Sequence, residues 1–530
     1  MAQGGAATSA STATAAPAAS PATFVEVDPD SLEFTQPRSI GVEHVALAAM
    51  RELAFEPLLE SLGINGVMRT AIVGSIIARM AVPGSELASH RWLTGTSGLG
   101  DLLEVDLAAL PLSRLYRASD LLMKHREGIE TRLFARIETL FGLQASVTLY
   151  DLTNTYFEGA AAANPKAARG RSKEKRSDAP KEVPLGDCPL VTLGVVCDGS
   201  GFIRRSRVFA GNAVECRTLE GMLIGLAAPA GALVIMDRGI ATAANLAWLV
   251  EHGYRYLVVS RERERRFDAD EAIDLVSAGE ETIQVVRELS EDGQEVRLHC
   301  HSPGREMKET GIWSASHPLR GGPDPVRPRI DDPARGEASR SDTGAHRTPE
   351  VGQSRGGTAL HGDSGGRCGW PGGHRVALGE DACPRHDADR SGGLLFAQQR
   401  AVLGCRALWR TYMMLTDLEA VFRSMKGELG LRPIFHSKEE RSDGHLFISV
   451  LAYQFVQTIR QRLRAHGIHD SWSSLREVLA VQRRVTASFV QKDGRTLHVR
   501  KTTRPEPDLR HIYDALGLAH QPGGVQKLIA

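Results

Sequence analysis

The chain has 530 residues, of which 42% are hydrophobic and 24% charged, and its 64 basic and 64 acidic side chains give a formal net charge of zero. This composition is typical of a globular protein, and the length exceeds one ordinary hydrophobic core, so we expect two or three domains. The zero net charge excludes a global basic field, so contact with nucleic acid would have to use local patches. The 7 cysteines form no C-x-x-C pair, which argues for a reducing compartment and against a structural zinc site.

The amino-terminal residues indicate neither a signal peptide nor a membrane anchor. Residues 1–37 begin with small side chains and lack a basic start followed by a leucine-rich run, so we predict a disordered tail. The longest apolar run, GMLIGLAAPAGALVIM, is short for a membrane span and contains Pro229. We therefore expect no membrane partner.

Residues 38–145 have helical periodicity. The stretches VEHVALAAMRELAFEPLLESLG and LLMKHREGIETRLFARIETLFG carry apolar residues at i, i+3, i+4 and i+7. Gly63 and Gly142 are suited to end helices. The pattern predicts an all-helical amino-terminal domain, which is a candidate for DNA binding.

Residues 146–310 change to the period of two that is typical of strands. VTLYD is an alternating strand, and LVTLGVVCDGSGFIRRSRVF has the pattern of a β-hairpin. After it come a helix, the apolar strand GALVIM, a second helix and a further strand. This order predicts an α/β domain built on a mixed sheet flanked by helices. Asp151 and Asp237 each follow an apolar strand, where we expect the strand to end.

Residues 311–407 differ from the rest of the chain. They are rich in Gly, Pro, Arg, Ser and His and show no sustained periodicity, which is unusual inside a compact domain. We interpret the segment as a disordered insertion, or as the product of a GC-rich gene read out of frame, because such codons yield mainly these small, basic and proline residues.

Residues 408–466 return to helical periodicity, and residues 467–530 give no clear pattern. One helix carries an apolar stripe of four side chains. These are Leu418, Val421, Phe422 and Met425. Beside it lie Glu419, Arg423 and Lys426 at i, i+4 and i+7, and a second, more apolar helix follows.

Three carboxylates therefore occupy comparable positions: Asp151 and Asp237 follow apolar strands, and Glu419 lies on the charged edge of an amphipathic helix. Functional side chains collect at strand ends in α/β sheets, and clustered carboxylates repel each other unless cations neutralise them. Mg²⁺ prefers oxygen ligands, and two such ions about 3.5–4 Å apart can stabilise the attacking and leaving oxygens of phosphoryl transfer. Spacing alone leaves the alternatives open: each aspartate could form a turn, and Glu419 could pair with Arg423 on the surface.

Three stretches together resemble the DDE transposases of bacterial insertion sequences in the group with a YREK signature. The first is LYDLTNTYFEG, and the second combines LVTLGVVCDGSGFIRRSRVFAGNAVECRTL with VIMDRGIATAANLAWL. The third is YMMLTDLEAVFRSMKGELGLRPIFH, followed by DGHLFISVLAYQF. Tyr412, Glu419 and Lys426 match the signature at its spacing, whereas Leu415 stands where the family has arginine.

The resemblance implies a ribonuclease H-like core in which Asp151, Asp237 and Glu419 are catalytic and bind two Mg²⁺ or Mn²⁺ ions. It also implies that Tyr412, Arg423 and Lys426 contact DNA. The expected activity is cut-and-paste transposition: cleavage at the ends of the element and transfer of those ends to target DNA. The expected partners are double-stranded DNA, as the terminal inverted repeats and as the target, and a second copy of the chain when the protein is assembled on DNA. The expected location is the bacterial cytoplasm, in association with the nucleoid when DNA is bound. The alternatives are a decayed transposase remnant that only binds DNA, and a ribonuclease H-like nuclease that cuts without joining.

Overall fold

The computed structural model describes residues 24–143, 146–170, 188–226, 228–259, 272–276, 282–290, 295–301, 393–399 and 404–530. The described residues of 24–301 and 394–530 belong to one compact unit. The predicted tail is therefore described only from residue 24. Of the segment 311–407, only 393–399 and 404–407 are described, so its interpretation as an irregular or out-of-frame insertion lies mostly outside the described residues.

Helices occupy the part of the chain that has helical periodicity. They are α1 Gly41–Glu52, α2 Phe55–Ser61, α3 Gly66–Ala81, α4 Glu86–Gly95, α5 Leu99–Leu103, α6 Leu112–Lys124 and α7 Arg126–Phe141. Asn65 and Ser85 cap α3 and α4 by accepting hydrogen bonds from the Met68 and Ala88 amides at 3.0 and 3.3 Å. Gly142 ends α7 in the left-handed conformation, with φ +60°, which glycine adopts without steric cost.

The second half of the fold is built on a nine-stranded sheet. Its strands are β2 Val147–Tyr156, β3 Leu190–Asp198, β4 Ile203–Ala210, β5 Leu233–Met236, β6 Arg255–Val259, β7 Ile273–Val276, β8 Thr282–Leu289, β9 Glu295–His301 and β10 Gly393–Gln399. They lie in the order β4-β3-β2-β5-β6-β10-β9-β8-β7. Strands β2, β3 and β4 pair antiparallel, whereas β2, β5 and β6 pair parallel. The predicted mixed α/β sheet is confirmed.

Helices cover both faces of this sheet. The short α8 Leu219–Leu223 and α9 Ala243–Glu251 pack on the face that carries Tyr150, Leu152, Val196 and Met236. The long α10 Cys405–Gly427 and α11 Glu439–Arg464 pack on the face that carries Leu149 and Val195. The side chains of each strand alternate between these two apolar clusters, as expected for a strand buried on both faces.

Helix α11 is also the core of the amino-terminal helices, since it packs against α1, α3 and α6. Residues 442–459 of α11 are buried without interruption. A Cβ at Gly444 would lie 1.9 Å from Oγ of the buried Ser119 in α6, so the absence of a side chain lets the two helices approach closely. The helical layer and the sheet therefore share one apolar core.

A second sheet joins the two ends of the chain. It contains β1 Glu33–Ser39, β11 Arg483–Val490, β12 Thr496–Thr502 and β13 Gln526–Ile529 in that order. The helices α12 Trp472–Ala480 and α13 Pro507–Leu516 complete the carboxy-terminal region.

Two predicted boundaries are wrong. The predicted tail ends at residue 37, but β1 begins at Glu33. Strand β1 pairs with β11, which is about 450 residues away in the sequence, from Ser39↔Arg483 to Glu33↔Ser488. The side chains of β1 are mostly exposed, so no local apolar pattern marks the strand. Within 311–407, residues 393–399 form β10, which pairs with β6. Helix α10 begins at Cys405, a little before the predicted start at 408.

Among the described residues, no single helix has both the length and the hydropathy of a membrane span. The pair α3 and α4, bent by 98° at the break between them, passes the same test only when both are counted together.

Glu130 connects α7 to the edge strand β4, and it should make stability depend on pH. Its carboxylate accepts a hydrogen bond from the Ser206 amide at 2.9 Å, and Arg126 lies 3.8 Å away. Burial raises the pKa of Glu130 from 4.5 to about 7, against the opposing effect of Arg126, the Ser206 hydrogen bonds and Arg205. Because the folded state holds this proton more tightly than the unfolded chain, the contribution to stability is present below pH 4.5 and is lost as the pH rises through about 7.

We therefore expect the free energy of unfolding of wild type to fall relative to Glu130→Gln between pH 4.5 and about 7, by up to about 3 kcal/mol. Denaturant titrations at a series of pH values measure this difference. Glu127→Gln, which changes an exposed acid on the same helix, is the matched control and should follow wild type. Parallel curves for wild type and Glu130→Gln would contradict the prediction.

Candidate active site

Asp151 and Asp237 occupy matching positions on neighbouring parallel strands. The last residue pair between β2 and β5 is Tyr150↔Met236, and each aspartate is the next residue of its chain. Neighbouring strands lie about 4.7–4.9 Å apart, so the two backbones are adjacent where the carboxylates begin. Each carboxylate accepts a hydrogen bond from the amide of the following residue at 2.7 Å.

The prediction that β2 ends at Asp151 is wrong. The strand continues to Tyr156 and stays paired with β3 as far as Tyr156↔Leu190. What ends at Asp151 is the pairing with β5, because β5 has only four residues and stops at Met236. The half-buried Asp151 thus lies at a break in one ladder while the other ladder holds its backbone in place.

Helix α10 runs along β2 in the direction of the strand. At the start of β2, the sulfur of Met414, near the middle of α10, and Cβ of Val147 both lie within 3.7 Å of a Cβ built on Gly199. Past its end, the Leu431 amide donates to the Met425 carbonyl at 3.0 Å, and Thr155 Oγ1 donates to the Leu431 carbonyl at 3.2 Å. Along this axis Glu419 therefore lies between the levels of Val147 and Thr155, as Asp151 does.

The two stripes of α10 are oriented as the sequence predicts. The apolar stripe is buried, with exposed fractions of 1% for Leu418 and 0% for Met425, and α10 packs on β2 and β5. Asp151 alternates with Tyr150 and Leu152 and so lies on the face of β2 that α10 covers. Glu419 is exposed at the edge of the same helix.

The two predicted DNA-binding side chains that the structure describes, Arg423 and Lys426, lie on the edge of α10 that carries Glu419. Arg423 is exposed and Lys426 is half-buried, and positions seven residues apart, such as Tyr412, Glu419 and Lys426, align along a helix. The backbone of Tyr412 belongs to α10, and its side chain lies outside what the structure describes. Leu415, in place of the family's arginine, packs against the apolar core.

The structure does not bring the ligand atoms of the three predicted acids within the distance expected for the ligands of a single ion. Among the described residues, the group of Asp, Glu, His and Cys side chains whose ligand atoms all lie within 4.8 Å of one another contains none of the three predicted acids. Two ions about 3.5–4 Å apart spread their ligands over a larger volume than one ion does. The donor set, carboxylates only, suits hard cations such as Mg²⁺, and the metal site stays a prediction.

Sequence reasoning missed a further acid near Asp237. A Cβ built on Gly239 would lie 3.2 Å from Oε2 of Glu215 and 3.8 Å from Oδ2 of Asp237, so those two oxygens are no farther apart than the sum of these distances. Thr218 Oγ1 donates to the Glu215 carbonyl at 2.6 Å and lies 2.5 Å from the hydroxyl of Tyr150. In the sequence, the one feature that could have pointed to Glu215 is its position four residues after Gly211 in the Gly-Asn turn.

The charges of Asp151 and Glu215 both act on the hydroxyl of Tyr150. Burial raises the pKa of Tyr150, and the charges of Asp151 and Glu215 raise it further, while the hydrogen bond with Thr218 opposes the shift. Tyr150 immediately precedes Asp151, so the pKa of its hydroxyl responds to the carboxylate of Asp151 in β2 and to that of Glu215. A cation at this position would be stabilised by the same charges.

The group that does lie within 4.8 Å consists of Glu86, His436 and His445, and it forms a buried polar network. Arg79 donates to Nδ1 of His445 at 3.1 Å, and Nε2 of His445 lies 3.2 Å from the Gly430 carbonyl oxygen. Burial and the charge of Arg79 lower the pKa of His445 to about 3, so the ring is neutral. Both ring nitrogens of His445 already have partners, and Arg79 supplies the cation that balances Glu86, so protein contacts account for this group.

Comparison with known proteins gives little support to any family. No protein-family model and no curated protein sequence matches the chain. Among solved structures, the chain is similar to a piggyBac transposase in a synaptic complex with hairpin DNA, with a TM-score of 0.34 and 8% sequence identity over 84% of this chain and 82% of that one. A similarity this low carries no argument about fold or activity, so the function has to be argued from the site itself.

Proposed function

We propose that the protein is a DNA transposase that cuts and joins DNA by metal-dependent phosphoryl transfer. The observation that carries the proposal is the register of Asp151 and Asp237, which directly follow the last residue pair of two neighbouring parallel strands. They occupy the end of this ladder next to α10, the helix that carries Glu419. Carboxylates from two neighbouring strands and one helix are a donor set that suits a pair of Mg²⁺ or Mn²⁺ ions.

The architecture around these acids supports the ribonuclease H-like core that the family resemblance implies. Three antiparallel strands, β2 to β4, lead into the two parallel strands β5 and β6, and β2 is central among the five. Helices cover both faces. The remaining strands, β7 to β10, extend the sheet beyond β6 and arise from the chain between Asp237 and Glu419.

Each side chain has a role in this proposal. Asp151, Asp237 and Glu419 hold the ions, which when bound activate the attacking oxygen and stabilise the leaving one. Lys426 and Arg423, on the edge of α10 beside Glu419, contact phosphates near the scissile bond, and Tyr412 packs on a sugar or base. The attacking oxygen would be water in end cleavage and a 3′-hydroxyl in strand transfer, so one site serves both steps.

The partners follow from the reaction. Transposition requires double-stranded DNA twice, as the terminal inverted repeats of the element and as target. Pairing two ends requires two active sites, so we propose a homodimer assembled on DNA, acting in the bacterial cytoplasm at the nucleoid.

The proposal is tested by incubating wild type with duplexes that carry the inverted repeats flanking the gene, together with target DNA. We expect cleavage and joining with Mg²⁺ or Mn²⁺ and neither with EDTA. Binding without cleavage under every metal condition would overturn the proposal in favour of a decayed remnant. Cleavage without joined product would favour a nuclease.

A further inference from the structure

A large cavity lies at the edge of the nine-stranded sheet, away from the three acids. It has a volume of about 800 Å³ and is bounded by the junction of α6 and α7, the edge strand β4 and helix α8. This volume lies within the usual range for ligand sites. β4 is two strands from β2, which ordinary strand spacing makes about 10 Å.

Basic side chains converge on the cavity from two sides. Lys124 and Arg126 come from the helix junction, and Arg205 and Arg207 come from β4. The acids that line it are Glu127 and Glu130, and Glu130 is buried and already hydrogen-bonded to Ser206. The carboxyl end of α6 and the amino end of α7 meet here, so the partial charges of the two helix dipoles largely cancel. The sign of the potential in the cavity therefore depends on the side chains, of which four are basic and two acidic.

The cations of the cavity differ in how far their side chains are engaged by the protein. Arg126 is half-buried, and its buried Nε lies 3.8 Å from Glu130, at ion-pair distance but too far for a hydrogen bond. Arg207 is exposed, and its guanidinium lies over α8, where a Cβ on Gly221 would approach Nη1 to 3.0 Å. Arg205, by contrast, donates to the Met222 carbonyl at 2.9 Å and so connects β4 to α8.

We propose that this cavity, which we call the edge groove (Lys124, Arg126, Arg205 and Arg207), binds phosphates of the DNA backbone. Guanidinium groups recognise phosphate through paired hydrogen bonds, and lysine does so as a point charge. A net positive, open groove that contains few aromatic side chains suits backbone contact and not base recognition. The inference rests on the proposed function, because it takes DNA as the ligand, and it adds a contact that holds the duplex on the far side of β3 from the carboxylates.

The test uses the full chain and measures equilibrium binding to a 30-base-pair duplex by fluorescence anisotropy, in EDTA, at several salt concentrations. The variant is Lys124→Gln/Arg207→Gln, which changes the two exposed cations of the edge groove and leaves the half-buried Arg126 in place. The control is Arg117→Gln/Arg510→Gln, which removes the same charge from exposed positions outside the groove. Thermal unfolding of both variants should match wild type.

We expect the groove variant to bind about tenfold more weakly at moderate salt and its plot of log K against log salt to lose about 1–2 units of slope. The control should keep the slope of wild type. Equal losses in both variants, or no loss in either, overturn the inference. A rise in the melting temperature of wild type with millimolar ATP or inorganic phosphate, absent in the groove variant and joined to an unchanged DNA slope, would assign the groove to a small phosphate ligand and overturn it as well.

The outcome is separable from that of the proposed function. If wild type cleaves DNA and the groove variant binds DNA with the same salt dependence as wild type, only the inference about the edge groove is contradicted. If Lys124→Gln/Arg207→Gln lowers the slope of log K against log salt but wild type never cleaves DNA, only the proposed transposase activity is contradicted.

Discussion

Asp237→Asn should reduce metal-dependent cleavage of the element's ends by about 10²–10³-fold while leaving binding of the same duplex nearly unchanged. The reason is electrostatic: asparagine keeps the size of the side chain and removes the negative charge that a divalent cation needs. Charge stabilisation by a catalytic metal contributes several kcal/mol to the transition state. Asp237 is exposed and follows the last residue of β5, so the substitution should not affect folding. Cleavage is measured in a single turnover and binding in Ca²⁺.

Glu158→Gln is the matched control for this experiment. Glu158 is an exposed carboxylate just past the carboxyl end of β2, where its amide donates to the Ile434 carbonyl at 2.8 Å, and its side chain belongs to no part of the proposed site. We expect wild-type cleavage from Glu158→Gln. Full activity in Asp237→Asn would remove the carboxylate from the mechanism and with it the proposed function.

Gly211→Ala should lower the free energy of unfolding by about 3 kcal/mol, a typical cost of forcing atoms into a filled space. A Cβ at Gly211 would lie 2.1 Å from the carbonyl oxygen of Leu190 and 2.6 Å from that of Ala168. Both are backbone atoms, and Ala168 and Leu190 already exchange hydrogen bonds of 2.9 and 3.1 Å, so neither oxygen can move without breaking a pair. The start of β3 would loosen, and so would the turn that leads to Glu215. Denaturant unfolding followed by circular dichroism measures the loss.

Gly427→Ala provides the comparison, since it adds the same methyl group at the end of α10. No atom lies within 4 Å of a Cβ there, and alanine is favoured over glycine in helices. We expect its stability to equal or slightly exceed that of wild type. A loss of the same size in both variants would mean that the close backbone contact at Gly211 is not what destabilises the protein.

The sequence predicts those parts of the site that depend on local pattern. Alternation places Asp151 and Asp237 after apolar strand residues, and a helical stripe separates Leu418 and Met425 from Glu419. It does not predict that β2 continues past Asp151, because that depends on β5 being shorter than β3, a property of the partner strands. The proximity of Glu215 to Asp237 arises in the same way, from a glycine at position 239 that lets another turn approach.

The parts of the fold that depend on distant partners were missed. β1 has few buried side chains and is held by backbone pairing with β11, which no window of sequence reveals. The Glu86 network joins α4, the loop after α10 and α11 through Arg79. No local pattern in the sequence indicates that these histidines meet an acid and an arginine, because the residues come from separate elements of the fold.

The attachment of α10 to β2 has a consequence for how the gene can change. The helix is fixed at its exit, where the Ile434 amide donates to the Tyr156 carbonyl at 2.9 Å and the Leu431 carbonyl accepts from Thr155. The position of Glu419 along β2 is thus set by residues downstream of the glutamate. A change in the length of the chain that precedes α10 would therefore leave the position of Glu419 along β2 unchanged.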